Sequence, residues 1–181
     1  YGYEAPADNG ESIEVVVDPD RNRLQLLSPF SAWDGKDFEE VQILLKATGK
    51  CTTDHISPAG PWLRFRGHLD KLSDNAFLGA RNAYTDEEGN GLNQVSGERQ
   101  SFPEIARDYK NRGLRWVAIG DENYGEGSSR EHAAMSPRLL GAAAVIVRSF
   151  ARIHESNLKK QGILPCLLYT SPSPRDRGWS R

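Results

Sequence analysis

The chain has 181 residues, 38% of them hydrophobic and 27% charged, which suits one globular domain with extra segments at either end. Its net charge of −2 gives no bulk attraction to nucleic acid or an anionic membrane, so neither is expected as a partner, and anion recognition must come from locally placed arginines. No apolar run approaches the ~18 residues of a membrane span, and two cysteines, Cys51 and Cys166, are too few for a disulfide framework or a cluster held by three or four thiolates.

Residues 1–40 mix Pro, Asp and Gly with two short alternating runs, "IEVVVD" and "RLQLL", followed by "SPFSAWDGKDFEE", and read as an extended lead-in. The opening "YGYEAPADNG" has neither the charged and apolar regions of a signal peptide nor an initiating Met, which leads us to expect a fragment, and the low cysteine count leads us to expect a reducing compartment. "VQILLKATGKC" predicts a strand that feeds the polar loop "TTDHISPAGP", and "RGHLDKLSDNAFLGA" a short helix. "RNAYTDEEGNGLNQVSGERQ", polar and without periodicity, predicts a mobile loop. "SFPEIARDYKNRG" carries a Ser cap, Pro and Glu in the first turn, Ile105 and Tyr109 one turn apart, and a Gly stop, so a helix is expected. Strand "LRWVAIG", helix "SREHAAMSPRLL", strand "AAAVIV" and helix "FARIHESNLKKQG" then alternate as a βαβα unit, making the fold class α/β with a parallel sheet.

The end is different. "CLLYTSPSPRDRGWSR", residues 166–181, has two prolines and no periodicity where a further strand is expected. Its first part resembles a reading frame of a common transposon-end sequencing adapter, and we expect a non-native, disordered tail. A sheet ending at Pro165 is expected to leave an uncovered strand edge and doubtful stability alone.

Two stretches are candidates for chemistry. In "GDENYGEGSSREHAA", Ser128 and Glu131 have the spacing of a capping box. Gly120, Gly125 and Gly127 permit positive φ and close backbone approach at a strand-to-helix junction, where open parallel sheets bind ligands. Arg130 at the helix start opposes the macrodipole by ~0.3–1 kcal/mol, a cost that an anionic ligand offsets. A carboxylate fits better than phosphate, since neither G-x-x-x-x-G-K nor G-x-G-x-x-G is present. "CTTDHISPAGPWLRFRGHLD" gathers Asp54, His55, Arg64, Arg66 and His68 near Trp62 and Phe65, either a solvated turn or a charge network on an apolar floor. No H-x-H or H-E-x-x-H spacing supports a metal, and His132 and His154, within predicted helices, read as structural.

Taken together, "GKCTTDHIS", "GPWLRFRGHLD", "GDENYGEGSSREHAA" and "SFARIHESNLKKQG" resemble, in order from about Leu24 to Pro165, the C-terminal swivel domain of the mitochondrial-type aconitases, also found in bacteria. "MSPR" departs from the family's usual acidic residue before Pro137, and the tail does not match. The resemblance implies a swivelling β/β/α-type domain over residues 41–165, truncated at its C-terminal end. It implies isomerisation of citrate to isocitrate through cis-aconitate without net redox, in a bacterial cytoplasm or the mitochondrial matrix. By the same resemblance Ser128 is the base, Ser129, Arg130 and Arg66 bind substrate carboxylates, and Asp54 supports the catalytic site. A [4Fe–4S] cluster is implied, with ligands in N-terminal domains missing from this chain, so no metal ligand is assigned here and no turnover alone is expected. The competing readings are the small subunit of an isopropylmalate dehydratase type hydro-lyase, a non-catalytic carboxylate-binding module, and an RNA-binding relative, which the acidic balance disfavours.

Overall fold

The computed structural model describes residues 2–168. It contains six strands, β1 (Gln42–Lys46), β2 (Asn90–Leu92), β3 (Arg99–Ser101), β4 (Trp116–Ile119), β5 (Ala142–Val147) and β6 (Leu164–Leu167). The helices are α1 (Thr53–Ile56), α2 (Leu69–Leu72), α3 (Phe102–Asn111), α4 (His132–Leu139) and α5 (Arg152–Lys160), with short 3-10 turns between. β1, β4, β5 and β6 form a parallel sheet in the order β1-β4-β5-β6, and β2 and β3 pair antiparallel. The expected α/β class with a parallel sheet is what the chain adopts.

The helices sit where their apolar faces dictate. In α3, Phe102, Ile105, Ala106 and Tyr109 are all fully buried, a spacing that presents one helical stripe to the sheet. Ser101 and Glu104 close the capping box at its start, and Gly113 at φ +75° follows its end. α3 packs on β1, α4 on β5 and α5 on β6. β5 is an interior strand with both faces covered, so "AAAVIV" is almost uniformly buried. Trp116 is fully buried in β4 and donates its indole N–H to the Leu140 carbonyl at 2.8 Å, so the largest core side chain also ties β4 to the end of α4.

Four sequence expectations are corrected. Residues 81–100, read as a mobile loop, hold β2 and the start of β3, organised by Asn93, which is fully buried. Its side-chain oxygen accepts from the N–H groups of Val95 and Ser96, while its amide donates to Gln100 and to Asp108 on α3. The loop after Cys51 carries α1, capped by Thr52 and His55, whose N–H and ring nitrogen complete a reciprocal box. α4 starts at His132 with no side-chain cap, so the Ser128–Glu131 capping box does not form. Finally, the disordered tail expected from Cys166 is corrected at its start, because Cys166 and Leu167 belong to β6 and pair with β5; the rest of the expected tail, from residue 169, lies outside the described residues.

The lead-in docks at several places, Ser31 accepting from Arg138 at one of them and Leu24 and Gln25 meeting the chain beside Arg66 at another. Leu24 bridges Gly67, Gln25 N–H donates to the Gly67 carbonyl at 2.9 Å, and the Gln25 side chain accepts from Asp70 N–H at 2.9 Å. A Cβ on Gly67 would lie 2.5 Å from the Arg23 carbonyl oxygen, so this close approach requires glycine. The residue next to Arg66 is thereby held by a segment more than forty positions away.

Candidate active site

β4 ends at Ile119, and the loop that follows is stitched to both neighbouring strand ends. Gly125 N–H donates to the Cys51 carbonyl at 2.8 Å, and Thr53 N–H to the Glu126 carbonyl at 2.9 Å, joining the loop to the segment after β1. Tyr124 N–H donates to Ser149, and Ala151 N–H to Tyr124, joining it to the segment after β5. The loop therefore lies across the carboxyl ends of β1, β4 and β5, the end at which open parallel sheets hold ligands. Beneath it, the Tyr124 ring is fully buried and meets Phe150 edge-on at 6.1 Å.

The glycines have separate uses. Gly125 and Gly127 take φ of +81° and +115°. At Gly120 the need is space, since a Cβ would lie 2.5 Å from the Tyr124 ring. The loop from Gly125 to Arg130 borders an open cleft of about 630 Å³ that is also lined by Thr53, Arg152, His154 and Asn157.

Arg130 is mostly buried, and its Nη1 lies 2.5 Å from Asp54 Oδ1 and donates to the Ser57 carbonyl at 2.9 Å. Both contacts fall on Nη1, and no other guanidinium hydrogen bond forms among the described residues, which leaves Nη2 and Nε as a donor edge for an anion. Ser128 and Ser129 are exposed, and neither hydroxyl has a hydrogen-bond partner among the described residues. Arg66 is exposed at the end of the 3-10 turn Gly60–Phe65. It is tied to the same region because His132, four residues after Ser128, donates from Nε2 to the Arg66 carbonyl at 3.0 Å. Asp54 and Arg130 are thus joined through their side chains, whereas Arg66 is joined to the start of α4 through its backbone carbonyl.

Other candidates fall elsewhere. His55 Nδ1 serves the α1 cap, His68 Nδ1 accepts from Lys71 N–H, and Arg64 lies over the Phe65 ring at 4.5 Å. Among the described residues no group of three or more His, Cys, Asp or Glu side chains is placed to hold a metal. Cys51 is buried, and burial pushes its thiol up to about 12, so it stays protonated. It lies past β1 and Cys166 lies in β6, the two opposite edges of the sheet.

Sequence reasoning passed over two residues. His132 reads as structural, yet it couples Arg66 to the loop. His154 lines the cleft and is 2% exposed, and burial pushes its imidazole down to about 4, which keeps it uncharged. Nothing in its local sequence distinguishes it from any other helical histidine.

The model of the aconitase C-terminal domain family matches residues 41–170. Over 175 residues the chain is 58% identical to a protein named probable aconitate hydratase, mitochondrial, of Dictyostelium discoideum, covering 97% of this chain and 23% of that protein. It is 61% identical over 175 residues to a protein of the same name from Caenorhabditis elegans, covering 97% of this chain and 22% of that one. The chain therefore spans less than a quarter of the length of the curated relatives it matches. A solved structure, the 3-isopropylmalate dehydratase LeuD of Methanocaldococcus jannaschii, is 26% identical with a TM-score of 0.44, covering 71% of this chain and 62% of that one.

Proposed function

We propose, because this chain belongs to the aconitase C-terminal domain family, that it forms one wall of a hydro-lyase active site interconverting citrate, cis-aconitate and isocitrate. The remainder of that site would come from the part of the relatives' length that this chain does not span. The observation that supports the reading is the Arg130–Asp54 ion pair at the Ser128–Arg130 loop, with the Arg66 backbone tied to the start of α4 through His132.

In this reading Ser128 Oγ takes the proton from the carbon next to a substrate carboxylate while hydroxide leaves the neighbouring carbon. The reverse steps return water to either carbon of the alkene, so no electrons are exchanged. Arg66, Ser129 and the free edge of Arg130 hold the carboxylates, and the triply charged substrate is fixed in one orientation by planar donors. Asp54 supports the site by holding Arg130, whose Nη1 it engages. A serine hydroxyl is a poor base in water, so its ionised form depends on the nearby guanidinium and on exclusion of solvent once the substrate fills the cleft.

The iron–sulfur cluster expected of this family does not fit the residues of this chain. Its two cysteines lie at opposite sheet edges, and one is a buried, protonated thiol. Its ligands would come from the portion of the relatives' length that the chain does not span. The relatives' names favour the mitochondrial matrix as the working compartment, which subcellular fractionation with an antibody to this segment tests.

The test of the chemistry is kinetic, in the full-length protein carrying this chain. Ser128→Ala is expected to lower kcat by ~10²–10⁴-fold, the usual range for a positioned base, with little change in KM. Arg66→Lys should chiefly raise KM, because lysine cannot make a bidentate carboxylate contact. Near-normal kcat in Ser128→Ala removes the serine from the role of base.

A further inference from the structure

Two side chains beneath the loop take no part in the groups assigned above. His154, in the first turn of α5, is 2% exposed, and neither ring nitrogen has a hydrogen-bond partner among the described residues. Thr53, the first residue of α1, is 1% exposed, and its hydroxyl oxygen is likewise without a partner among them. Each lies against the bare Cα of a loop glycine. A Cβ on Gly125 would meet Cγ, Cδ2 and Cβ of His154 at 2.2, 2.3 and 2.5 Å, and one on Gly127 would meet Thr53 Oγ1 at 3.1 Å.

The "GEG" segment therefore rests on two buried side chains, one from the helix after β1 and one from the helix after β5. The Tyr124 ring, 5.5 Å from the imidazole, walls His154 in from a further direction. The atoms that face Gly125 are the Cβ, Cγ and Cδ2 carbons of His154, so what the side chain contributes to the loop is shape.

The two functional side chains above this seat differ in how they are held. Arg130 has its own anchors in Asp54 and the Ser57 carbonyl. The Ser128 hydroxyl has no anchor among the described residues, and its height over the cleft follows from the backbone between Gly125 and Gly127. We propose that His154, with Thr53 under Gly127, is a positioning residue that sets where Ser128 stands while leaving Arg130 in place. The inference rests on the reading of Ser128 as the base.

The test uses the full-length enzyme. His154→Ala should lower kcat on the order of 10²-fold, the usual effect of a ~1 Å misplacement of a catalytic group, and leave KM within ~2-fold. In a Ser128→Ala background the same change should lower kcat no further, since the seat acts only through that hydroxyl. General destabilisation would instead add its loss to that of Ser128→Ala. His154→Phe retains the Cβ, Cγ and ring-edge carbon that Gly125 meets, so it should recover most of kcat; it also keeps the question answerable if the alanine variant does not fold. A rise in KM at unchanged kcat, fully multiplicative losses, or a folded His154→Phe enzyme as slow as the alanine variant each overturn the proposal. Ser128→Ala alone separates the two ideas. If it keeps kcat, the base reading is wrong; if it loses kcat and His154→Ala does not, only the seat is wrong.

Discussion

Gly125 carries two constraints at once, a φ of +81° and a histidine ring where its Cβ would be. Gly125→Ala therefore meets a left-handed backbone cost of ~1–2 kcal/mol and a clash that shifts either the ring or the loop. A fall in Tm of several degrees, with loss of activity in the full-length enzyme, is expected by calorimetry and assay. His154 makes a separate prediction about pH. Its folded-state value, about 4, lies below its ordinary 6.5, so the unfolded chain binds the proton first as pH falls. Stability that is fully present above pH ~6.5 should decline by about 3 kcal/mol on descending to pH ~4 and level off below. Denaturant titrations of the wild type and His154→Phe check this, since the variant should lose that part of the slope.

Elements show why one Ser-x-x-Glu pattern forms a capping box and the other does not. At α3, Ser101 and Glu104 close the box, and the hydrogen bonds from Ser101 hold the Glu104 carboxyl below its ordinary range. Before α4, the Arg130 side chain is drawn to Asp54 and the Ser57 carbonyl of another segment, Arg130 N–H turns back to the Ser128 carbonyl at 2.7 Å, and the helix begins only at His132. The same local pattern gave way to a long-range contact. The β2–β3 hairpin hides for a related reason, because its organiser is a buried asparagine serving its own turn and α3 rather than an apolar alternation. Asn93→Ala strands several of these partners and should cost about 1–3 kcal/mol. Faster amide exchange confined to residues 90–101 is the accompanying sign, while unchanged exchange there argues against this role.

At the scale of the whole molecule, the sheet order places the two cysteines at opposite edges and the charged loop residues at one end. The isolated 181-residue chain should therefore give no hydration of cis-aconitate, followed through the ultraviolet absorbance of its alkene, even when iron and sulfide are supplied. Turnover by the chain alone would mean that the site is complete within it. The lead-in also has a measurable role at this scale. Removing residues 1–40 from the full-length enzyme is not a clean test, but Gly67→Val is, since the added side chain breaks the approach of Arg23 and Leu24. The expected result is a raised KM with kcat largely kept, because Arg66 is the neighbouring residue and Ser128 lies on another loop.

Much of this protein was legible in the chain itself. Apolar periodicity and caps marked α3, β4, β5 and α5, and the alternation of strands and helices implied a parallel sheet, because these signals are local and their residues lie close together. Asp54, Arg66, Ser128, Ser129 and Arg130 are singled out by the resemblance of their motifs to a family, whereas local pattern alone leaves the first stretch as a solvated turn or a charge network and the second as a helix cap or a ligand site. The fold alone decided that Arg130 is anchored by Asp54, that His132 and the lead-in hold the backbone around Arg66, and that His154 lies under Gly125. Those are contacts between residues some 25 to 75 positions apart, made by small groups meeting at the ends of neighbouring strands. No local pattern encodes them, because what selects them is the order of the strands.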